Sequence, residues 1–212
     1  MRILIVAATE SEVLSLKSEV RSWTMVYGLS AIDFLITGAG MVATAFALGR
    51  HLAKNKYDLA INLGIAGSFD RSIALGEVVE ITQDSLAELG AEDDKDFISI
   101  DKLGFGESSF ESTYNLPVQF GLKKVSAITI NTVHGNEASI QKLNARANAQ
   151  LESMEGAAFF YACKQAGLPC MQIRAVSNYV EKRNRAAWQI GPAIKNLNTF
   201  AVELVSSEWL MK

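Results

Sequence analysis

The chain has 212 residues, of which 49% are hydrophobic and only 3 are proline, so it can bury one substantial core and is predicted to form a single domain over 1–212. Its 20 Lys and Arg residues against 23 Asp and Glu give a formal net charge of -3, which excludes a general basic field for holding nucleic acid or an anionic membrane. The expected partner is a small molecule.

The first residues, MRILIVAATES, contain an apolar run too short for a secretion signal, and no window approaches the roughly 18 apolar residues of a membrane span. This pattern predicts a cytoplasmic protein. His51 and His134 are far apart in the sequence, and Cys163 and Cys170 lie in apolar surroundings. The spacing therefore predicts neither a metal site nor a disulfide.

Five apolar runs without strict alternation predict strands that are covered on both faces: residues 2–8, 33–37, 58–64, 125–131 and 170–177. Between them, helical patterns cover 10–20, 41–54, 154–166 and 192 to about 210. This alternation predicts a three-layer α/β/α fold with a central mixed, largely parallel sheet. Segment 76–120 departs from the alternation: strand material and an acidic loop are followed by residues 104–119, which are rich in Gly, Ser and Glu and have little periodicity. This region is predicted to be an insertion or lid edge, and the pattern leaves open whether segment 91–120 moves on binding.

Two apolar strands are predicted to end in glycine turns, in LITGAGMVATA (35–45) and INLGIAGSFD (61–70). The first imitates a dinucleotide fingerprint, because Gly38 and Gly40 are followed by a small residue. A true fingerprint opens on the first strand of its unit and has an acid at the end of the second, whereas Asp58 opens the next strand. A dinucleotide-binding module is therefore kept only as an alternative.

Acidic residues stand at two starts of predicted helices. Glu10 and Glu12 follow the first strand, where negative charge favours a helix N-terminus whatever its chemistry. Glu155 opens the apolar helix in LESMEGAAFFYACKQAG. A carboxylate there is costly to bury unless it accepts strong hydrogen bonds, which the adjacent hydroxyls of a sugar would supply.

The segments MRILIVAATESEV, TGAGMVATA, INLGIAGSF and SMEGAAFFYACKQAGLPCMQIRAVSN, in this order, resemble the nucleoside phosphorylase and nucleosidase superfamily, whose members cleave the bond between ribose and purine. The resemblance covers residues 1 to about 205. Within the superfamily, AELGAEDDKDFISIDKLGF, NTVHG and SNYVEKRNR are most similar to the futalosine hydrolases, which release hypoxanthine in the alternative pathway to menaquinone. The resemblance implies a homodimer or higher homo-oligomer that needs no cofactor.

The resemblance also implies roles for individual residues. Glu12 matches the acid that deprotonates the attacking water, and Glu155 matches the acid that binds the 2′ and 3′ hydroxyls of the ribose. The remaining matches are Met154 near the sugar, Ile65, Ala66 and Gly67 beside base and sugar, and Ser177 with Asn178 where adenine-releasing nucleosidases have Ser-Asp. Ser153 departs from the acid that those nucleosidases have at its position.

Asn178 is the departure that bears on the substrate. Adenine leaves poorly as an anion and benefits from a carboxylic acid that protonates N7, whereas hypoxanthine spreads negative charge onto O6 and needs a donor more than an acid. An amide fits the oxopurine, although hydrogen bonding to an amide does not by itself exclude adenine. Loops 37–42 and 64–70 lack basic residues for phosphate, which favours hydrolysis; a phosphorylase and an adenine-releasing nucleosidase remain alternatives.

The charged loop after Asn178 has two interpretations. Arg183 and Arg185 either belong to a solvated loop or bind the distal carboxylate on the aromatic tail of futalosine. Phe105, Phe110 and Tyr179 are candidates for apolar contact with that tail or for the core.

Overall fold

The computed structural model of the chain describes the backbone of residues 1–27 and 32–211 and, apart from residues 24–27, 208 and 211, their side chains. The strands are β1 (Ile3–Ala7), β2 (Ile32–Ile36), β3 (Leu59–Ser68), β4 (Val78–Leu86), β5 (Gly90–Asp93), β6 (Asp96–Ser99), β7 (Ser109–Glu111), β8 (Lys123–Thr129), β9 (Leu151–Ser153) and β10 (Cys170–Tyr179). The helices are α1 (Leu14–Tyr27), α2 (Met41–Leu52), α3 (Glu137–Arg146), α4 (Gly156–Ala166), α5 (Ile190–Ser206) and α6 (Glu208–Met211).

The main sheet is mixed and largely parallel, as predicted. Its order is β2, β1, β3, β9, β8, β4, β10, and β10 pairs with β3 as well, so that the strands from β3 to β10 close into a circuit. Strand β10 is parallel to β3 and antiparallel to β4. Residues 172–175 of β10 are hydrogen-bonded on both edges, whereas Asn178 and Tyr179 at its end pair with β3 alone, which leaves the other edge of this end free of β4.

Helices cover both faces of the sheet. Leu48 of α2 and Phe159 of α4 belong to the buried cluster on one face, and Leu16 of α1 and Leu197 of α5 belong to the cluster on the other. Strand residues alternate between the two clusters, since side chains along a strand point to opposite faces. The predicted three-layer α/β/α arrangement is confirmed. Within the described ranges, no helix is both long and apolar enough to cross a membrane.

The helix predicted from Glu10 begins later. Residues Glu10–Glu12 form a single 3-10 turn, and α1 starts at Leu14. The side chain of Glu12 folds back to accept from the backbone N–H of Thr9, a local bond that replaces the regular start of a helix. The helical pattern does not predict α3, because Leu143 is its one buried residue and the helix lacks a continuous apolar face.

Segment 76–120 is more regular than predicted. It supplies the central strand β4, and its acidic stretch forms the exposed hairpin of β5 and β6 rather than a loop. Glycine is required at Gly90, because a Cβ there would lie 2.1 Å from the carbonyl oxygen of Ile98 on the paired strand. Asp94 makes the turn with a φ of 52°.

The two predicted glycine turns have different outcomes. Gly38 and Gly40 adopt positive φ of 84° and 97° and make the turn before α2. The turn predicted in 61–70 is wrong, because β3 continues through Gly64 and Gly67 to Ser68. The reason is close packing: a Cβ at Gly64 would lie 1.9 Å from a guanidinium nitrogen of Arg174, and one at Gly67 would lie 3.0 Å from Val180.

Candidate active site

A cavity of about 210 Å³ lies at the carboxyl ends of β1, β3 and β10. In α/β sheets this edge is where ligands bind, because the connecting loops diverge there. Most of the predicted site residues line it. They are Glu12, Ile65, Ala66, Gly67, Met154, Glu155, Ser177 and Asn178; Arg183 does not line it.

Glu12 is buried, and its carboxylate accepts hydrogen bonds from two backbone N–H groups and one hydroxyl. Oε2 accepts from the backbone N–H of Thr9 at 2.9 Å and from its hydroxyl at 3.0 Å, and Oε1 accepts from the N–H of Ile65 at 3.2 Å. The backbone carbonyl of Glu12 accepts from Asn198 of α5. The carboxylate is thereby set in one orientation toward the cavity, as a general base requires.

A buried arginine that the sequence patterns did not identify lies beneath Glu12. Arg174 is 1% exposed, and its guanidinium donates to Gln172 Oε1 at 2.8 Å and to Asn62 Oδ1. A Cβ at Gly64 would lie 1.9 Å from Arg174 Nη1 and 3.1 Å from Glu12 Oε1, so the guanidinium passes directly under the acid. The available signal was a charge inside an apolar strand.

The network of buried polar side chains around Arg174 extends to the start of α4. Asp84 is fully buried and accepts from Thr129 Oγ1 at 2.8 Å and from Gln172 Nε2 at 3.2 Å. Thr129 Oγ1 in turn accepts from the N–H of Ala157 in the first turn of α4. Burial raises the pKa of Asp84 to about 6, although its hydrogen bonds and the charge of Arg174 oppose that rise. The network fixes the helix that follows Glu155.

Glu155 is the residue immediately before α4 and is 7% exposed. Its Oε1 accepts from the N–H of Gly40 at 3.0 Å, in the glycine turn before α2. Among the described residues no group donates to its Oε2, and Glu155 lines the cavity together with Met154. A carboxylate with a free oxygen at the cavity wall suits two adjacent sugar hydroxyls, which both donate.

The end of β10 is bulged at Ser177. Val176 pairs with Ala66 and Asn178 pairs with Gly67, so that Ser177 is the extra residue. A bulge changes the direction of the side chains that follow it. The Ser177 hydroxyl donates to Asn178 Oδ1 at 2.8 Å, and one N–H of Asn178 donates to the carbonyl of Tyr179. The second N–H of the amide remains as a donor for a ligand.

A second group missed by the sequence analysis lies beside Asn178. Glu152 of β9 is 2% exposed and lines the cavity, and its two oxygens accept from the backbone N–H of His134 at 3.1 Å and from His134 Nδ1 at 2.8 Å. Burial raises the pKa of Glu152, and the hydrogen bonds from His134 oppose that rise. The available signal was a second acid three residues before Glu155.

The family model described as the phosphorylase superfamily matches residues 2–206. The chain belongs to the phosphorylase superfamily. Among relatives in the superfamily, the futalosine hydrolase of Thermus thermophilus is 29% identical over 215 residues, covering 97% of this chain and 96% of the relative. The futalosine hydrolase of Streptomyces coelicolor is 34% identical over 182 residues, covering 78% and 74%. The resemblance stated from the sequence is confirmed.

Solved structures of the superfamily share the fold. The 5′-methylthioadenosine/S-adenosylhomocysteine nucleosidase of Helicobacter pylori superimposes with a TM-score of 0.80 at 15% identity, covering 97% of each chain. The native futalosine hydrolase of Helicobacter pylori gives a TM-score of 0.79 at 14% identity, also covering 97% of each chain. At these identities the agreement concerns the architecture.

The charged loop after β10 lies at the rim of the cavity. Arg183 is exposed, and its guanidinium lies 5.3 Å from the ring centre of Trp188, which lines the cavity. Arg185 lies 6.0 Å from the same ring. The structure does not bring the three predicted tail aromatics together: Phe105 is 80% exposed, Phe110 is buried in the core, and Tyr179 packs under Arg71.

Proposed function

We propose that this protein hydrolyses the N-ribosidic bond of futalosine and releases hypoxanthine, as a nucleosidase of the futalosine route to menaquinone. The observation that carries the proposal is the oriented amide of Asn178. Because the Ser177 hydroxyl occupies Oδ1, the amide faces the cavity as a donor. The futalosine hydrolases among the relatives, which cover most of the chain, support the same substrate.

The reaction follows from the three positioned groups. Glu12 accepts a proton from water, whose oxygen forms the new bond to C1′ of the ribose as the C1′–N9 bond breaks. Glu155 holds the 2′ and 3′ hydroxyls while positive charge develops on the sugar. The electron pair of the broken bond stays on the purine, and the free N–H of Asn178 stabilises the charge at N7 and O6. A donor aimed at developing charge typically contributes about a hundred- to a thousandfold in rate.

The charges around the cavity favour water over phosphate. Of the described residues that line it, none is Lys, Arg or His, and three are glutamates: Glu12, Glu152 and Glu155. A phosphate dianion needs Arg or Lys donors and would be repelled by these carboxylates. Arg71, the basic residue that follows β3, pairs with Glu181. The guanidinium of Arg174 lies beneath Gly64, and its hydrogen bonds go to Gln172 and Asn62.

Incubation of the purified protein with futalosine in phosphate-free buffer tests the proposal. We expect stoichiometric release of hypoxanthine and a free sugar product, with no increase in rate when phosphate is added. Release that depends on phosphate, with a sugar phosphate as product, would identify a phosphorylase. Faster release of adenine from the 6-amino analogue of futalosine would identify an adenine-releasing nucleosidase.

The tail of the substrate provides a narrower proposal. Trp188 lies between the cavity and Arg183, so that an aromatic tail leaving the cavity along Trp188 would place its carboxylate near this guanidinium. We expect Arg183→Ala to raise KM for futalosine about tenfold and to leave inosine, which has no tail, unaffected. An equal effect on both nucleosides would remove Arg183 from tail binding.

Two further sequence predictions stay as proposals, a cytoplasmic location and a homodimer or higher homo-oligomer. The exposed side chains of Val42 and Phe46, at 78% and 68%, form an apolar strip on α2 directly after the glycine turn that binds Glu155. Covering this strip with a second copy would shield one wall of the site from water. Light scattering should give twice the mass of the chain; a monomer at micromolar concentration would contradict it.

A further inference from the structure

Three neighbouring strands place a carboxylate and an amide on either side of one glycine. Gly67 of β3 pairs with Asn178 of β10 on one edge and with Glu152 of β9 on the other. Residues paired across a sheet present their side chains on the same face. A Cβ at Gly67 would lie 3.1 Å from Asn178 Nδ2 and 3.5 Å from Glu152 Cγ, so both side chains border the space above the glycine.

Glu152 is held as an acceptor. His134 donates to both of its oxygens, from the backbone and from Nδ1, and the residue is 2% exposed while still lining the cavity. A buried carboxylate is costly, and one whose oxygens each keep a lone pair at a cavity wall is positioned for a donor on the ligand. The mechanism described above gives it no role.

A 6-oxopurine and a 6-aminopurine differ in the hydrogen-bonding groups on the edge that would face Asn178 and Glu152. Hypoxanthine presents acceptors at N7 and O6 and a donor at N1–H, whereas adenine presents an N7 acceptor, an amino donor and an N1 acceptor. The amide of Asn178 can bond to N7 of either base. A carboxylate accepts a hydrogen bond from N1–H of hypoxanthine but is repelled by the lone pair of adenine N1. The Asn178 amide cannot discriminate in this way, because it can bond to N7 of either base.

We propose that Glu152 is the specificity residue of the site, accepting the N1–H of a 6-oxopurine and excluding 6-aminopurines, with His134 as the residue that positions it. The inference rests on the proposed nucleosidase function and deepens it. In this arrangement the Asn178 amide donates to N7 and O6, which gain negative charge as the base leaves. The Glu152 carboxylate accepts from N1–H, which takes no part in the reaction. Gly67 pairs with both residues and thereby sets their side chains on the same face of the sheet.

The expected size of the effect follows from general energetics. Sites built to bond a substrate N–H reject an analogue that lacks it by factors of up to about ten thousand, because the buried acceptor is left unpaired. Hydrogen bonds to a charged group contribute about 1.5–3 kcal/mol, which corresponds to a factor of about ten to a hundred. The preference for futalosine over its 6-amino analogue should therefore fall by about ten- to a hundredfold when the charge of Glu152 is removed.

The test compares Glu152→Gln with the wild type on futalosine and on its 6-amino analogue. The variant keeps an oxygen for His134 but also presents an NH2 group that adenine N1 can accept. We expect the ratio of the two kcat/KM values to fall at least tenfold, mainly through loss on futalosine. The matched control is Glu80→Gln, which alters another buried glutamate of the sheet, 1% exposed and bonded to the N–H of Leu116 outside the cavity; its ratio should equal that of the wild type.

The outcomes separate the inference from the proposed function. A wild type that releases no hypoxanthine from futalosine overturns the proposed function, whereas an active Glu152→Gln variant with an unchanged ratio overturns the role of Glu152. Calorimetric binding of the free bases to the wild type needs no variant and covers the case in which Glu152→Gln does not fold. Hypoxanthine should bind at least tenfold more tightly than adenine, and equal binding would overturn the inference.

Discussion

The two ends of the cavity hold their functional groups by different means. At the ribose end, Glu12 and Glu155 accept mainly from backbone N–H groups, those of Thr9, Ile65 and Gly40, with the Thr9 hydroxyl as one additional donor. At the base end, side-chain donors have the larger part: the Ser177 hydroxyl orients Asn178, and the His134 ring donates to Glu152 beside the backbone N–H of His134. Backbone donors come with the fold, whereas side-chain donors change with single substitutions. The geometry therefore ties sugar chemistry to the architecture and leaves the choice of base adjustable.

At the ribose end, we expect the largest loss of activity from Glu12→Gln. The amide keeps the shape of the acid but cannot take a proton from water, and general bases contribute about a hundred- to ten-thousandfold. We expect kcat to fall about a thousandfold while hypoxanthine binding, measured by calorimetry, stays within a few fold. The control Glu10→Gln changes an exposed glutamate two residues away that pairs with Lys17. Near wild-type turnover in Glu12→Gln would remove this residue from the mechanism.

At the base end, Asn178→Asp should alter specificity more than stability. The new carboxylate keeps the bond from Ser177 but replaces the donor with a negative charge near Glu152, which repels the O6 of hypoxanthine. We expect futalosine turnover at neutral pH to fall about ten- to a hundredfold. Since a protonated Asp can donate to N7, activity should recover as the pH falls, whereas Asn178 itself does not titrate.

Parallel pH profiles of the two proteins on futalosine and on its 6-amino analogue check this prediction. The variant should also gain relative activity on the analogue, because a carboxylic acid can protonate a poor leaving group. An unchanged substrate ratio together with an unchanged pH profile would contradict the leaving-group argument for the amide.

The same contrast explains what the sequence could predict. The apolar runs of β1, β3 and β10 were sufficient to predict the fold. The resemblance to the superfamily singled out Glu12, Glu155 and Asn178, which line one cavity, and their roles stay predictions. Glu152 was not identified, because its role depends on which strand lies beside β3. Strand β9 is only three residues long, and pairing between distant segments leaves no local pattern.

The sequence also failed to predict the partners of the buried charges. Arg174 of β10 and Asp84 of β4 are buried, and each is hydrogen-bonded by residues from other strands, such as Asn62 and Thr129. Sequence periodicity shows that such a charge is unusual but not which partners satisfy it. The glycine turn predicted at 61–70 failed for the same reason, because Gly64 is required by a guanidinium that approaches from β10.

The smallest effect on activity is expected from Asp84→Asn, behind the ribose end. Since the pKa of Asp84 in the fold is raised from its ordinary 3.8 to about 6, the protonated acid stabilises the fold below about pH 4, and this contribution is lost as the pH rises through 6. Each pKa unit corresponds to about 1.4 kcal/mol, so the wild type should lose up to roughly 3 kcal/mol relative to Asp84→Asn between pH 4 and pH 7.5.

Urea unfolding of both proteins across that range measures the difference, and a difference that is constant with pH would show that the buried acid does not titrate there. Turnover of Asp84→Asn should stay within a few fold of the wild type, because the asparagine can still accept from Thr129 and the acid touches the substrate site only through Gln172 and the start of α4. A loss as large as that of Glu12→Gln would instead mean that the ribose end depends on the buried network as strongly as on its backbone donors.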